Sequence, residues 1–204
     1  MAPKIAIVIY TLYGHIAKLA EAEAAAIKAA GGEVTIFQVP ETLPEEVLTK
    51  MHAPAKPSYP IITPAELANF DGFLFGFATR YAGLPAQMKS FWDATGQLWA
   101  AGALHGKYAG MFVSTGGLGG GQEAAFFAAL STLVHHGLIF VPLGYKNAFS
   151  QLSNVEEVHG GSPFGAGTIA GPSGARQPSE LELEVATAQG KSFYETVAAV
   201  HKSA

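Results

Sequence analysis

The chain has 204 residues, enough for one domain with a sizeable core. Hydrophobic residues make up 49%, charged residues 14%, and the formal net charge is −4; without a basic patch this argues against nucleic acid and a polybasic membrane contact, while the sparse charge suits burial at a subunit interface. Cysteine is absent, which excludes disulfides, thiolate nucleophiles and cysteine-ligated metals; with no apolar run near the roughly 20 residues of a membrane helix and no secretory signal pattern, a cytoplasmic protein without an integral membrane segment is expected.

The predicted elements alternate along the chain. "KIAIVIY" (4–10) is an almost continuous apolar run, as a strand covered on both faces should be. "HIAKLAEAEAAAIKAA" (15–30) carries Ile16, Leu19, Ala20, Ala24 and Ile27 near a helical period, and Gly31 and Gly32 stop it. A second strand follows at 33–39, then a proline-rich surface excursion over 40–64. A short helix is predicted at 64–70, a third strand at 72–79 and a long helix at 85–100. "YAGMFVST" (108–115) is the fourth strand, followed by "GGLGGGQE" and a helix over 124–136. The fifth strand is placed at 139–145, a long loop at 146–178 and a closing helix at 179–202.

Five strand–helix alternations predict an α/β fold in a single domain over 1–204. The spacing suits a flavodoxin-like open five-stranded parallel sheet, in the order 2-1-3-4-5, with helices on both faces. Ligands of such sheets sit outside the carboxyl ends of the strands. Three of those ends are chemically unusual here: "TLYGHI", "ATRYAGLP" and "STGGLGGGQE". The predicted strand order makes them neighbours.

The first end opens a helix, where free N–H groups and the dipole hold an anion. It lacks both the Gly-rich Lys-Ser/Thr run of a triphosphate loop and the G-x-G-x-x-G of a dinucleotide site. A single phosphate monoester fits, and a mononucleotide such as FMN carries one. Thr11 or His15 acting as an ordinary N-cap is an equal reading of this loop. In the third end, five glycines in six positions can turn backbone N–H groups toward a ligand edge, with Ser114 and Thr115 as further donors. A reduced flavin ring gathers negative charge at such an edge. A flexible turn is the bland alternative. In the second end Thr79 offers backbone pairing and Tyr81 a ring wall, while Arg80 suits either a pyridine-nucleotide phosphate or a surface ion pair.

Taken together, "TLYGHI", "TRY", "GQLWAAGALHGK", "STGGLGGGQE", "LVHHG" and "AGPSGARQPSELE" resemble the WrbA-like family of FMN-dependent NAD(P)H:quinone oxidoreductases, fungal benzoquinone reductases among them. The similarity runs from about residue 4 to residue 200. The resemblance implies one FMN per subunit of a homotetramer or homodimer. It also implies that NAD(P)H and quinone use the space above the flavin in turn. Carried over by motif, Thr11, Leu12, Tyr13, Gly14, His15 and Ile16 hold the phosphate, and Tyr13 meets the nicotinamide nucleotide. Thr79, Arg80 and Tyr81 line the ring. Ser114, Thr115, Gly116, Gly117, Leu118, Gly119 and Gly120 cover its polar edge. Trp99 packs near the substrate and His135 faces the flavin site. The family's usual pattern lacks Leu118 and has proline where Ala78 stands.

The expected reaction is two-electron reduction of a benzoquinone-type substrate. Trp99 and Tyr81 stack on the flat substrate, and His135 bonds a quinone oxygen or delivers a proton. A histidine at a helix end also suits capping of carbonyls, and Trp99 equally suits packing. A single-electron flavodoxin-type carrier needs an acidic docking face, which the composition does not supply. A regulatory flavoprotein assembly is a third reading. The seven histidines show no metal-ligand spacing, and no G-x-S-x-G elbow points to hydrolysis.

Overall fold

Burial on both faces accounts for the unbroken apolar runs. In the computed structural model, which describes residues 2–201, β1 (Lys4–Tyr10) is buried at every position after Lys4. β3 (Gly72–Ala78) and β4 (Tyr108–Thr115) are buried at all but one position each. β2 (Glu33–Gln38) sits at an edge and alternates. The strands pair in parallel in the order β2-β1-β3-β4-β5, the predicted flavodoxin-like arrangement.

The fifth strand position is filled by two separate segments. β5 is only Ile139–Phe140 and pairs with the start of β4, at Tyr108 and Ala109. β6 (Gly167–Ile169) pairs with the end of β4, at Val113 to Thr115. The expected strand over 139–145 is therefore cut short, because the chain leaves the sheet after Phe140 and returns 27 positions later at Gly167.

Helices α1 (His15–Ala29) and α7 (Glu180–His201) cover one face, with Ile16, Leu19, Ile27, Val185, Phe193 and Val197 in the buried cluster. Helices α3 (Ala86–Asp93) and α5 (Gln122–His135) cover the other through Met88, Phe91, Trp92, Ala125, Phe126 and Leu133. Fully buried side chains of this size each contribute about 1.5–3 kcal/mol.

Three further boundaries differ from expectation. The 40–64 excursion contains α2 (Glu45–Lys50) and is followed by a 3-10 turn over Pro64–Asn69. The helix expected over 85–100 breaks into α3 and α4 (Gly96–Ala100), where the Thr95 hydroxyl turns back to Trp92 O at 2.6 Å. The long loop contains α6 (Phe149–Leu152) besides β6. Lys202, the expected end of the closing helix, lies outside the described residues. Among the described residues no helix is long and apolar enough to cross a membrane.

Candidate active site

Because β1, β3 and β4 are adjacent, their carboxyl ends meet. A cavity of about 190 Å³ lies there, lined by Thr11, Leu12, Tyr13, His15 and Ile16 from the first end. Ala78, Thr79 and Arg80 line it from the second, and Ser114, Thr115 and Gly116 from the third. A fourth segment, Ala170, Gly171 and Gly174, closes it from the loop after β6.

The start of α1 is built to leave its N–H groups free. Gly14 occupies the cap position with φ 90°, a left-handed conformation that glycine adopts without strain, and no side chain caps the helix. The two residues that suited an ordinary cap are engaged elsewhere. Thr11 Oγ1 accepts the Gly14 N–H at 3.1 Å. The His15 ring donates from Nε2 to the Arg176 carbonyl at 2.8 Å. Tyr13 is half-exposed at the rim, and its hydroxyl donates to Met51 O at 3.1 Å.

Arg80 contributes the cavity's cationic side chain. Its Nη1 donates to Thr79 O at 3.2 Å, and it joins none of the ion pairs among the described residues. Beyond it the chain reverses in a tight turn, with Arg80 and Gly83 exchanging N–H···O bonds of 2.9 Å. Tyr81 and Ala82 at its tip both have positive φ, 52° and 57°. Such strain is of order 1–3 kcal/mol per residue and is concentrated at ligand clamps and active sites. Tyr81 is fully exposed beside the cavity rather than in its lining.

The glycine loop is organised by its own bonds. Thr115 Oγ1 donates to Gly117 O and accepts from Gln122 Nε2, both at 3.1 Å. Gly120 N closes a turn on Gly117 O at 3.1 Å. Only Gly116 of the five expected positions 116–120 lines the cavity; Leu118 is exposed, and with Gly119 it lines a separate open cleft against His159 to Ser162.

Two predicted residues lie elsewhere within the chain. His135 is exposed in the last turn of α5, next to Gly137, whose carbonyl accepts from Gly106 N just before β4 begins. That is the amino end of the sheet, opposite the cavity. Trp99, exposed on α4, is anchored to the same end through Thr95, which bonds the buried His136 at 2.8 Å. The expectation that His135 and Trp99 border the cavity fails within one chain, because a helix following a parallel strand carries its last turn back to the strand's start. Since Thr95 gives its own proton to Trp92 O, His136 donates from Nε2, leaving Nδ1 buried without a partner. Burial, with His135 beside it, holds the His136 pKa below its ordinary value.

The profile of the NADPH-dependent FMN reductase family matches residues 7–178. The chain belongs to this family. Over 197 residues this FMN reductase family member is 64% identical to NAD(P)H quinone oxidoreductase PST3 of Candida albicans, covering 97% of this chain and 99% of the relative. It is 62% identical over 204 residues to Minor allergen Alt a 7 of Alternaria alternata, covering 99% of this chain and 100% of that one. Among solved structures, the WrbA-like flavodoxin of Agrobacterium tumefaciens superimposes with a TM-score of 0.65 at 20% identity, covering 96% of this chain and 97% of that one. Oxidised Flavodoxin 2 of Bacillus cereus gives 0.63 at 18% identity, covering 95% and 99%. At such identities these two structures speak for the fold alone.

The residues present fit FMN, the family's cofactor. An uncapped helix start suits its phosphate, and Thr11, Thr79, Ser114 and Thr115 are in the lining of a cavity that has no lysine in it.

What sequence reasoning missed in this FMN reductase family chain is the fourth wall. The loop carrying Ala170, Gly171 and Gly174 is held by Glu182, a fully buried carboxylate. It accepts from the N–H groups of Gly160, Ile169 and Ser179, the Thr168 hydroxyl and Arg176 Nη1. A signal was present: "SELE" (179–182) has capping-box spacing, and Ser179 and Glu182 make both reciprocal bonds.

Proposed function

We propose that this chain is an NAD(P)H:quinone oxidoreductase that reduces benzoquinone-type substrates by two electrons. FMN, when bound, supplies the redox chemistry, accepting hydride from NAD(P)H and passing two electrons to the quinone. The chain's own residues bind, orient and shield. The Thr11–Ile16 loop receives the phosphate through backbone N–H and hydroxyl groups. Thr79, Arg80 and residues 114–116 face the flavin's polar edge. Tyr13 and Tyr81, both on the rim, provide aromatic surface for the nicotinamide and the quinone, where offset stacking adds about 0.5–1.5 kcal/mol per pair.

Trp99 and His135 act from a neighbouring subunit of a homotetramer or homodimer. Two observations support this. The cavity is smaller than the roughly 300 Å³ at which ligand pockets begin, so one chain leaves a bound ring partly uncovered. The face around α5 leaves Phe127, Val134 and nearby Trp99 exposed, 57%, 65% and 60% respectively, an apolar surface of the kind association covers. In that position His135 hydrogen-bonds a quinone oxygen. A cytoplasmic location follows from the need for NAD(P)H.

The observation that carries the reading is the meeting of three strand ends and an uncapped helix start around one cavity, in a chain of the FMN reductase family. The test is an absorbance spectrum of the purified protein before and after NADH, followed by addition of benzoquinone. Flavin bands bleached by NADH and restored by quinone, with steady turnover, are expected. A protein with no flavin affinity ends the reading; one that holds flavin but does not turn over quinone is a carrier instead. Light scattering at several concentrations checks the oligomer, and a monomer at all of them removes His135 and Trp99 from the site.

A further inference from the structure

The cavity lining has no lysine, but a lysine stands directly behind it. Lys56, from the end of the 40–64 excursion, donates from Nζ to the Thr11 carbonyl at 2.8 Å. The same ammonium pairs with Glu41 Oε2 at 2.8 Å and lies 4.5 Å from the centre of the Tyr10 ring. Glu41 is equally occupied. It accepts from the Tyr10 hydroxyl at 3.1 Å, Gln87 Nε2 at 3.2 Å and the N–H groups of Thr42 and Leu43 at 2.9 and 3.0 Å. Together with the Tyr13–Met51 bond, these contacts strap residues 41–56 across the carboxyl end of β1.

The consequence follows from the planarity of the peptide group. In a trans peptide the C=O and the next N–H point in opposite directions, and no peptide in the described chain is cis. Holding the Thr11 carbonyl toward Lys56 therefore turns the Leu12 N–H away from Lys56. Leu12 lines the cavity. An ammonium on the carbonyl also polarises the peptide and strengthens that N–H as a donor. Burial tends to raise the Glu41 pKa, but Lys56 and the two N–H groups bring it below the usual carboxylate value. Burial and Glu41 together hold the Tyr10 hydroxyl protonated far above neutrality.

We propose that Lys56, held by Glu41, is a positioning residue for the cofactor loop, acting on the flavin phosphate through the Thr11–Leu12 peptide. The inference rests on the reading that the phosphate sits at this loop. The 40–64 excursion thereby brings a positive charge close to the phosphate site without placing it in the cavity.

The test compares FMN with riboflavin, which lacks the phosphate, by fluorescence titration of the full chain stripped of flavin. Lys56→Met is expected to weaken FMN binding roughly 10- to 100-fold while leaving riboflavin binding within about twofold, and Lys56→Arg is expected to recover most of the loss. Glu41→Gln decides between positioning and simple attraction. It removes a negative charge near an anion, so simple attraction by Lys56 predicts tighter FMN binding, whereas a positioning role predicts weaker binding. The inference is overturned if Lys56→Met binds FMN like the wild type, if it loses FMN and riboflavin equally, or if Glu41→Gln tightens FMN. A wild type that binds riboflavin and FMN equally, or neither, overturns the phosphate placement itself and the inference with it.

Discussion

Glu23 and Glu182 are both completely buried, one midway along α1 and the other in the first turn of α7, yet their surroundings are opposite. Glu182 receives five donors, among them the Arg176 guanidinium at 2.9 Å. Glu23 receives none; both of its oxygens lack a partner where α1 presses against α7. The approach there is close: a Cβ on Gly190 would lie 2.5 Å from the Glu23 carbonyl. Burial alone therefore says little about a carboxyl's role. The donors decide it, and those of Glu182 come from Gly160, from β6, and from Arg176 and Ser179 on the far side of the loop that closes the cavity. Glu23 meets a wall that cannot solvate charge, and its pKa is held well above the usual carboxylate value.

The comparison can be broken most forcefully at Glu182. Glu182→Ala leaves the N–H groups of Gly160, Ile169 and Ser179 and the Thr168 hydroxyl without their acceptor, while Arg176 keeps the Ile169 and Val158 carbonyls and Glu157; a buried donor left unsatisfied costs about 1–3 kcal/mol, so the four together lower the melting temperature by roughly 10 °C or more in a chain of this size. FMN affinity is expected to fall with it, because Gly171 and Gly174 lose their support. A melting curve and a flavin titration check both, and an unchanged Tm would show the network to be dispensable.

Glu23 gives the second effect, of opposite sign. A carboxyl whose folded pKa lies above its unfolded value of about 4.3 contributes fully below that pH and loses stability as pH rises toward the folded value. Glu23→Gln cannot titrate. It is expected to melt several degrees above the wild type at pH 8 and level with it at pH 4. Melts at both pH values measure this; identical curves at pH 8 would mean that the carboxyl is solvated or paired.

The smallest effect is expected at an exposed pair, Lys89 and Asp93 on α3, whose side chains are 55% and 64% exposed. Lys89→Ala should shift stability by no more than about 1 kcal/mol and vanish into noise at high salt. A larger loss would show that a single partner stabilises even where solvent screens it, so that exposure would matter less than the comparison of the two glutamates assumes.

Much of the site was legible because strand ends and helix starts carry local signatures. "TLYGHI" announced a helix opening, with an anion site and a Thr11 or His15 cap as equal readings, and the structure puts Gly14 at the cap position with no side-chain cap. The glycine run announced an unusual turn after β4, though only Gly116 of positions 116–120 reaches the cavity. The fourth wall was not legible as a wall, since nothing local in 170–174 says that it folds back over β1. His135 and Trp99 illustrate the same limit: a motif can mark residues as important without saying which end of the sheet, or which subunit, they serve.

The order of apolar runs and helical periods by itself determined the alternating architecture, because a strand covered on both faces must be apolar throughout and a crossover helix must show one apolar stripe. Tertiary structure alone decided that the fifth strand is two segments, that Lys56 reaches Thr11 across 45 positions of chain, and that one buried glutamate is fully partnered while another is not. The physical reason is common to all three: hydrogen bonds and desolvation depend on which distant groups share a neighbourhood, and local sequence does not encode that proximity.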